Sequence, residues 1–162
     1  MEYEIRKAGR EDIPVVEGIY ANARRFMAEH GNPNQWGKTD PPGEVLEEDI
    51  RQGNLYVLQH QEVIHGVFYF ALGEDPTYRV IEGGAWTQDT PYGTIHRIAS
   101  DGSGGILAAA VAFGREKISH LRMDTHRDNH IMQRALEKQG FRYRGIIHVA
   151  NGSERLAYEW IG

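Results

Sequence analysis

One glycine-rich turn in the sequence, Asp101-Gly102-Ser103-Gly104-Gly105, lies where it could do chemistry. It connects a predicted strand that ends at Ser100 to an apolar helix predicted from Ile106 to about Ile118. The first N–H groups of a helix have no partner inside the helix, and the helix dipole makes that end positive. Glycines let such N–H groups approach an anion without side-chain collision. The turn therefore predicts a site for a phosphate-bearing ligand, with an ordinary connecting loop as the alternative.

Periodicity of the apolar residues predicts the elements that must position this turn. The predicted strands are Tyr3–Lys7, Leu55–His60, Val63–Leu72, Tyr78–Glu82, Gly93–Ser100, His120–Thr125, Phe141–Val149 and Arg155–Trp160. The predicted helices are Ile13 to about Met27 with Asp12 as its N-cap, Glu44–Gln52, Ile106 to about Ile118, and a helix capped by Asp128 or Asn129 that ends at Gln139. This order of strands and helices predicts one mixed α/β or α+β domain over residues 1–162.

Composition excludes several classes of function. The chain has 162 residues, with 18 Lys and Arg against 23 Asp and Glu, so its formal net charge is −5. A general nucleic-acid or membrane-surface binder needs a basic face and is therefore not expected. There is no cysteine, which excludes disulfides and thiolate chemistry. No signal peptide or membrane segment is recognised, so we expect a cytoplasmic protein.

A set of motifs in the second half of the chain points to a family. A helix predicted to begin at Asn129 ends in Leu136-Glu137-Lys138-Gln139-Gly140-Phe141, and the next strand contains Tyr143-Arg144-Gly145. Two predicted strands, Thr94–Ser100 and Leu121–Thr125, precede that helix. This arrangement resembles the GNAT superfamily of N-acetyltransferases. Near the start, Ile5-Arg6-Lys7-Ala8 followed by Glu11-Asp12-Ile13 is similar to the opening strand and helix of that family.

The resemblance implies a fold, an activity and a cofactor. The fold is a mixed, mostly antiparallel twisted sheet of about seven strands with helices on both faces, and the cofactor is acetyl-CoA. The family's pyrophosphate loop reads Arg/Gln-x-x-Gly-x-Gly/Ala, which places Gly105 at the central glycine, Gly102 at the polar first position and Leu107 at the last small position. The cofactor-binding residues that the resemblance implies are Ile98, Ala99, Ser100, Gly102, Ser103, Gly104, Gly105, Ile106, Leu107, Asn129, Met132 and Arg134.

Acetyl transfer from a thioester to an amine requires a base for the ammonium proton. His96 is one candidate, because an imidazole exchanges protons near neutral pH. Strict alternation along its strand predicts that His96 shares a face with Ile98 and Ser100. Glu82, at the end of a predicted strand, is the second candidate and would act through water. An ordinary strand histidine and a solvated carboxylate are the structural alternatives.

An acid can protonate the departing thiolate, and a backbone N–H can stabilise the carbonyl oxygen. The tyrosine that serves as the acid in many family members corresponds to Leu136 here. Tyr143 on the following strand is the candidate substitute, and a half-buried strand aromatic is its alternative.

The acceptor pocket of the family lies at the first helices and their loop, which makes Trp36 and Phe26 candidate substrate-binding residues. A peptide amine, an amino acid, a polyamine and an aminoglycoside all remain possible acceptors. A non-catalytic protein that binds or senses acyl-CoA is the alternative function. No metal site is expected, although His126 and His130 are four residues apart. A monomer or a homodimer is expected.

Overall fold

Seven strands form one sheet, because alternating apolar residues along them can be buried on two faces. The computed structural model describes residues 2–162. Its strands are β1 (Glu4–Lys7), β2 (Leu55–His60), β3 (Val63–Leu72), β4 (Gly93–Ser100), β5 (His120–Thr125), β6 (Arg142–His148) and β7 (Glu154–Ile161). Their order is β1-β2-β3-β4-β5-β7-β6, and in the described chain only the β4–β5 pair is parallel.

Four α-helices cover both faces of the sheet. They are α1 (Ile13–Glu29), α2 (Gly43–Arg51), α3 (Ile106–Lys117) and α4 (His130–Lys138), with 3-10 turns at Arg10–Asp12 and Pro76–Tyr78. The α3 and α4 face buries a core that includes Phe68, Ile95, Ile106, Leu121 and Leu136. The α1 and α2 face buries a core that includes Val16, Tyr20, Leu46, Val67 and Ala99. These observations confirm the predicted fold class. No helix in residues 2–162 has the length and apolarity needed to cross a membrane.

The strand predicted at Tyr78–Glu82 is wrong. Asp75 accepts hydrogen bonds from the backbone N–H and the hydroxyl of Thr77, at 2.9 and 2.8 Å, and this turn begins the 3-10 segment that ends at Tyr78. Glu82 exchanges two backbone hydrogen bonds with Ile146, which form an isolated bridge. Local side-chain bonds to the backbone therefore replace a sheet ladder here.

Asp12 occupies the N-cap position of α1 as predicted, but its side chain does not cap the helix, whereas the cap at Asn129 is confirmed. Asp12 makes no capping bond to α1. Its carboxylate accepts from Arg6 and from the N–H of Gly9 at 2.8 Å, and the hydrogen bond from Arg6 lowers the pKa of Asp12 against the opposing effect of burial. The side chain of Asn129 accepts from the N–H of Met132 at 3.0 Å and begins α4.

A bulge in β4 breaks the alternation of side chains next to the site. Tyr69 pairs with His96 and Val67 pairs with Ala99, so two residues, Arg97 and Ile98, oppose a single residue of β3. Arg97 takes a positive φ of 50°. The prediction that His96 and Ile98 share a face is therefore wrong: the ring of His96 lies against Tyr69, while Ile98 packs on the α3 and α4 core.

Side chains from α1 and α2 hold this bulge in place. The guanidinium of Arg97 donates two hydrogen bonds to Asp49 of α2, at 2.9 and 2.8 Å. The hydroxyl of Tyr20 in α1 donates to the carbonyl of Arg97 at 2.7 Å. Because both partners are buried, the strained backbone is fixed by tertiary contacts.

The parallel strands β4 and β5 separate after two residue pairs. Gly93 pairs with Leu121 and Thr94 with Arg122, and no further pair follows. Strand β5 stays fully paired with β7 on its other edge. The sheet therefore opens between β4 and β5 on the side toward which both strands run.

Candidate active site

A cavity of about 590 Å³ lies where β4 and β5 separate. It is lined by Ile95–Ile98 of β4 and Met123–Thr125 of β5, with Asn129 and Met132 on the α4 side. Met27 of α1, residues between 35 and 45, and residues 149–151 line it on the opposite side. The cavity therefore joins the two faces of the sheet through the gap between the strands.

The glycine-rich turn continues from the end of β4. Gly102 and Gly105 take φ values of +107° and +81°, which favour glycine. The hydroxyl of Ser100 donates to the carbonyl of Ser103 at 2.9 Å and accepts from the N–H of Gly102 at 3.0 Å. Gly105 is the N-cap of α3 and offers no side chain to the first N–H groups of that helix. The start of α3 is therefore open to an external acceptor.

Two features show that the turn has room for an anion. A Cβ atom placed on Gly102 or Gly104 would meet nothing within 4 Å. The side chain of Leu107 packs against the α3 and α4 core. Leu107, which stands where the family has a small residue, therefore directs its side chain into the protein.

The carboxylate of Asp101 is engaged within the turn. It accepts from the N–H of Ser103 at 2.9 Å, and its other oxygen lies 2.8 Å from Nδ1 of His65. Burial alone would raise the pKa of Asp101, but the hydrogen bonds from Ser103 and His65 outweigh it and lower the pKa. Because both of its oxygens already have partners in the turn, Asp101 opposes a bound anion less than an isolated carboxylate would.

A histidine between two carboxylates lies on the other side of the gap. Nε2 of His96 is 2.7 Å from Asp75, and Nδ1 is 3.6 Å from Asp124. Asp124 accepts a 2.7 Å hydrogen bond from the hydroxyl of Tyr78. Burial would raise the pKa of Asp75, but the hydrogen bond and charge of His96, with two bonds from Thr77, lower it to about 2. Asp75 is therefore an anion that orients the imidazole.

Gln35 connects the α1–α2 loop to the start of α4. Its side-chain oxygen accepts from the amide nitrogens of Asn129 and Asn32, both at 3.0 Å. Its carbonyl accepts from Arg155 at 3.0 Å. The neighbouring Trp36 packs edge-on against Tyr20, with ring centroids 5.5 Å apart. These contacts hold Trp36 in the cavity wall.

The structure brings together some of the residues predicted from sequence. His96, Ile98, Asn129, Met132 and Trp36 line the cavity. The residues from Ser100 to Leu107 form the adjoining turn and the start of α3. Ala99 is buried in the α1 and α2 core, so its backbone alone could meet a ligand.

Four other predicted residues do not line this cavity. Tyr143 is 48% exposed and packs against Tyr158. Phe26 is 47% exposed and stacks on His30, and Met27 from the same turn of α1 lines the cavity instead. Glu82 lies on the surface 3.4 Å from His148. Arg134 lies exposed on α4.

Sequence reasoning missed Asp40 and three further charged residues of the cavity: Asp75, Asp124 and Arg155. Asp75 precedes Pro76 and Thr77, a combination that indicates only a turn. Asp124 and Arg155 lie in predicted strands, where alternation gives a face but no partner. The three come from separate parts of the chain, namely the turn after β3, β5 and β7, and meet only in the tertiary structure. In residues 2–162 no cluster of three or more metal-ligating side chains is present.

The comparisons with known proteins find relatives by structure. No family model matches the chain, and no curated protein matches it. An acetyltransferase of the GNAT family from Listeria monocytogenes is 15% identical over 99% of this chain and 95% of its own, with a TM-score of 0.71. An acetyltransferase from Bacillus subtilis in complex with CoA is 14% identical over 99% of both chains, with a TM-score of 0.62. At these identities the two proteins share the fold.

A more similar solved structure comes from Streptococcus agalactiae. It is an acetyltransferase of the GNAT family, 30% identical over 99% of this chain and 95% of its own, with a TM-score of 0.86. The family predicted from the motifs around Asn129 and Gly140 is thereby confirmed. The fold, the gap between β4 and β5 and this identity together show that the chain belongs to the GNAT family and is an acetyltransferase.

Proposed function

We propose that this enzyme transfers an acetyl group from acetyl-CoA to a primary amine by direct attack in a ternary complex. The observation that carries the proposal is the gap between β4 and β5. On its α4 side the gap is lined by Ile98, Asn129 and Met132, close to the glycine-rich turn. On its other side lies His96 with its two carboxylates. A donor and an acceptor could therefore enter from opposite faces and meet between the strands.

The residues around the gap fit coenzyme A. The uncapped N–H groups at the start of α3, with open space at Gly102 and Gly104, would hold the diphosphate. Beyond Thr94 the edge of β4 has no strand partner, so its amides can bind the pantetheine arm alongside Asn129 and Met132. Arg134 on α4 is proposed to meet the remaining phosphate. Bound acetyl-CoA supplies an activated thioester to this site.

His96 is the proposed base for the attacking amine. The 2.7 Å contact with Asp75 favours the tautomer with hydrogen on Nε2, which leaves the lone pair on Nδ1. Nδ1 lies on the side of Asp124, a residue that lines the cavity. The amine nitrogen bonds to the acetyl carbon as the carbon–sulfur bond breaks, and Nδ1 takes the amine's proton. The thiolate is the leaving group.

The β4 bulge is proposed to stabilise the charge that develops on the carbonyl oxygen. Arg97 and Ile98 have no register partner in β3 and none in β5. Their N–H groups are therefore the proposed donors to that oxygen. Tyr143 is not proposed as the acid that protonates the thiolate, because its ring packs on the surface away from the cavity. Leu136, at the position of the family's acid, is fully buried.

Calorimetry with acetyl-CoA, desulfo-CoA and ATP tests the donor. Both CoA species should bind, and ATP should bind much more weakly. If neither acetyl-CoA nor desulfo-CoA gives a heat of binding, the donor assignment is refuted. Release of free thiol from acetyl-CoA in the presence of a panel of amines then tests catalysis. Tight binding of acetyl-CoA without thiol release across the panel would contradict transfer to a primary amine.

A further inference from the structure

Arg155 is a buried cation in the wall of the cavity, and no carboxylate of the described chain lies within ion-pair distance of it. It is 7% exposed, and its guanidinium donates to the carbonyls of Gln35 and Glu154, both at 3.0 Å. In residues 2–162 no carboxylate forms an ion pair with Arg155, whereas Arg97 donates two hydrogen bonds to Asp49. Burial lowers the pKa of Arg155 against the attraction of Asp124 and Asp40. Burying a cation without an ion-pair partner is costly, which indicates that the guanidinium has an anionic ligand.

Besides Asp40, and Arg97 with its partner Asp49, the charged side chains of the cavity form an acidic and a basic site. The acidic site consists of Asp75 and Asp124 around His96. The basic site is Arg155, which lines the same cavity. Strand register shows that the two sites are close. Asp124 pairs with Ala157, so Arg155 is the diagonal neighbour of Asp124, on the same face of the sheet, about 7–8 Å away by backbone.

Apolar side chains line the part of the cavity that faces α1 and α2. They belong to Met27, Trp36, Pro41, Val45 and Tyr69. A ligand here would meet an acidic site, a basic site and an apolar wall within a space of about 590 Å³. A volume of this order holds a small molecule.

We propose that the acetyl acceptor is an amino acid or a similarly short amino-carboxylate with an apolar side chain. Its carboxylate binds the guanidinium of Arg155, and its amine contacts both Asp124 and Nδ1 of His96 from the cavity. This inference rests on the proposed acetyl transfer and specifies its acceptor. It disfavours polyamines and aminoglycosides, because both would bring a second cation against Arg155. The product is the corresponding N-acetylamino acid.

Matched acceptors test this assignment in the intact enzyme. L-leucine, L-methionine and L-phenylalanine are each compared with their carboxamides, which have the same shape and amine but no carboxylate charge. A hydrogen-bonded charge contact stabilises binding by about 1.5–3 kcal/mol, so kcat/KM should favour each acid by roughly 10- to 100-fold, mainly through KM. Equal rates for acids and amides, or a preference for diamines, would overturn the inference while leaving acetyl transfer established.

Arg155→Met separates ligand binding from a role in holding the Gln35 loop. If Arg155 binds the carboxylate, the ratio of acid to amide should fall to about 1 in this variant. If Arg155 only supports the loop, both substrates should lose activity together and the ratio should stay at its original value. Arg127→Met is the matched control, because Arg127 pairs with the exposed Glu154 next to Arg155 and does not line the cavity.

A measurement on the unaltered enzyme covers the case in which Arg155→Met fails to fold. Calorimetry with N-acetyl-L-leucine and with its carboxamide, in the presence of CoA, should show at least tenfold tighter binding of the acid. Equal affinity for the two products would contradict the carboxylate site.

Discussion

Replacing Gly104 with glutamate tests whether the turn before α3 binds the CoA diphosphate. Gly104 is exposed, its φ lies outside the left-handed region, and an added Cβ would meet nothing within 4 Å. Gly105 is less suitable, because its φ of +81° makes any side chain strained there. Gly104→Glu therefore adds one negative charge at the start of α3 with little steric cost.

The charge has opposite expected effects on folding and on binding. A carboxylate at a helix N-terminus stabilises the fold by about 0.3–1 kcal/mol, and loss of glycine adds roughly 0.4–1 kcal/mol. The Tm should therefore stay unchanged or rise by a few degrees. A carboxylate about 5 Å from a doubly charged diphosphate costs about 2 kcal/mol even at the dielectric constant of water. Acetyl-CoA should therefore bind about 20-fold more weakly, or worse.

Calorimetry at fixed ionic strength measures this effect, with Gly104→Gln as the isosteric control. Raising the salt from about 0.1 to 1 M shortens the screening length from about 10 to 3 Å, so the difference between the two variants should shrink. If Gly104→Glu binds acetyl-CoA within twofold of Gly104→Gln while both remain folded, the turn does not hold the diphosphate and the reasoning is refuted.

Three further outcomes are expected. His96→Gln should lower kcat by about 10²- to 10⁴-fold with the Kd for acetyl-CoA unchanged, and His60→Gln, on β2, is its control; retained kcat would exclude His96 as the base. Asp75 has a folded pKa of about 2, below its ordinary 3.8, so it adds about 2 kcal/mol of stability above pH 4 that is lost as the pH falls through 2. Asp75→Asn should therefore make the free energy of unfolding, measured by denaturant titration, depend less on pH in this acidic range. The same pH dependence in the variant and the parent enzyme would contradict this. Glu159 is buried, accepts a hydrogen bond from Arg144 and contacts His120, so Glu159→Gln should lower the free energy of unfolding by about 3–5 kcal/mol and the Tm by on the order of 10 °C. Glu154 is exposed, so Glu154→Gln should lower the free energy of unfolding by less than about 1 kcal/mol. Similar losses of Tm in the two variants would argue against the buried network.

The glycine-rich turn and the helices around it could be predicted because they depend on neighbouring residues. Apolar periodicity places α3 within one residue of its observed end, and the side chain of Asn129 begins α4 through a bond three residues away. One failure is also local in origin. Asp75 accepts hydrogen bonds within its own turn, and so a segment with the residue pattern of a strand becomes a 3-10 turn followed by a single bridge at Glu82.

The face of His96 could not be predicted, because the bulge beside it depends on distant residues. Asp49 of α2 and Tyr20 of α1 bind Arg97 and hold it at a positive φ, which shifts every following side chain of β4 to the opposite face. A slip of one residue has this consequence in any strand, because side chains alternate with a period of two.

The sequence by itself determined the family, the fold class and the turn that is proposed to bind the donor. The family follows from the resemblance of its motifs, and the fold class and the turn follow from periodicity and turn signals over a few residues. Only the tertiary structure decided which charges meet in the cavity. Asp124 and Arg155 meet near His96 because the sheet order places β4, β5 and β7 side by side, and the turn after β3 brings Asp75 to the same ring. Such convergence depends on long-range pairing and burial, and no short pattern of residue types specifies it.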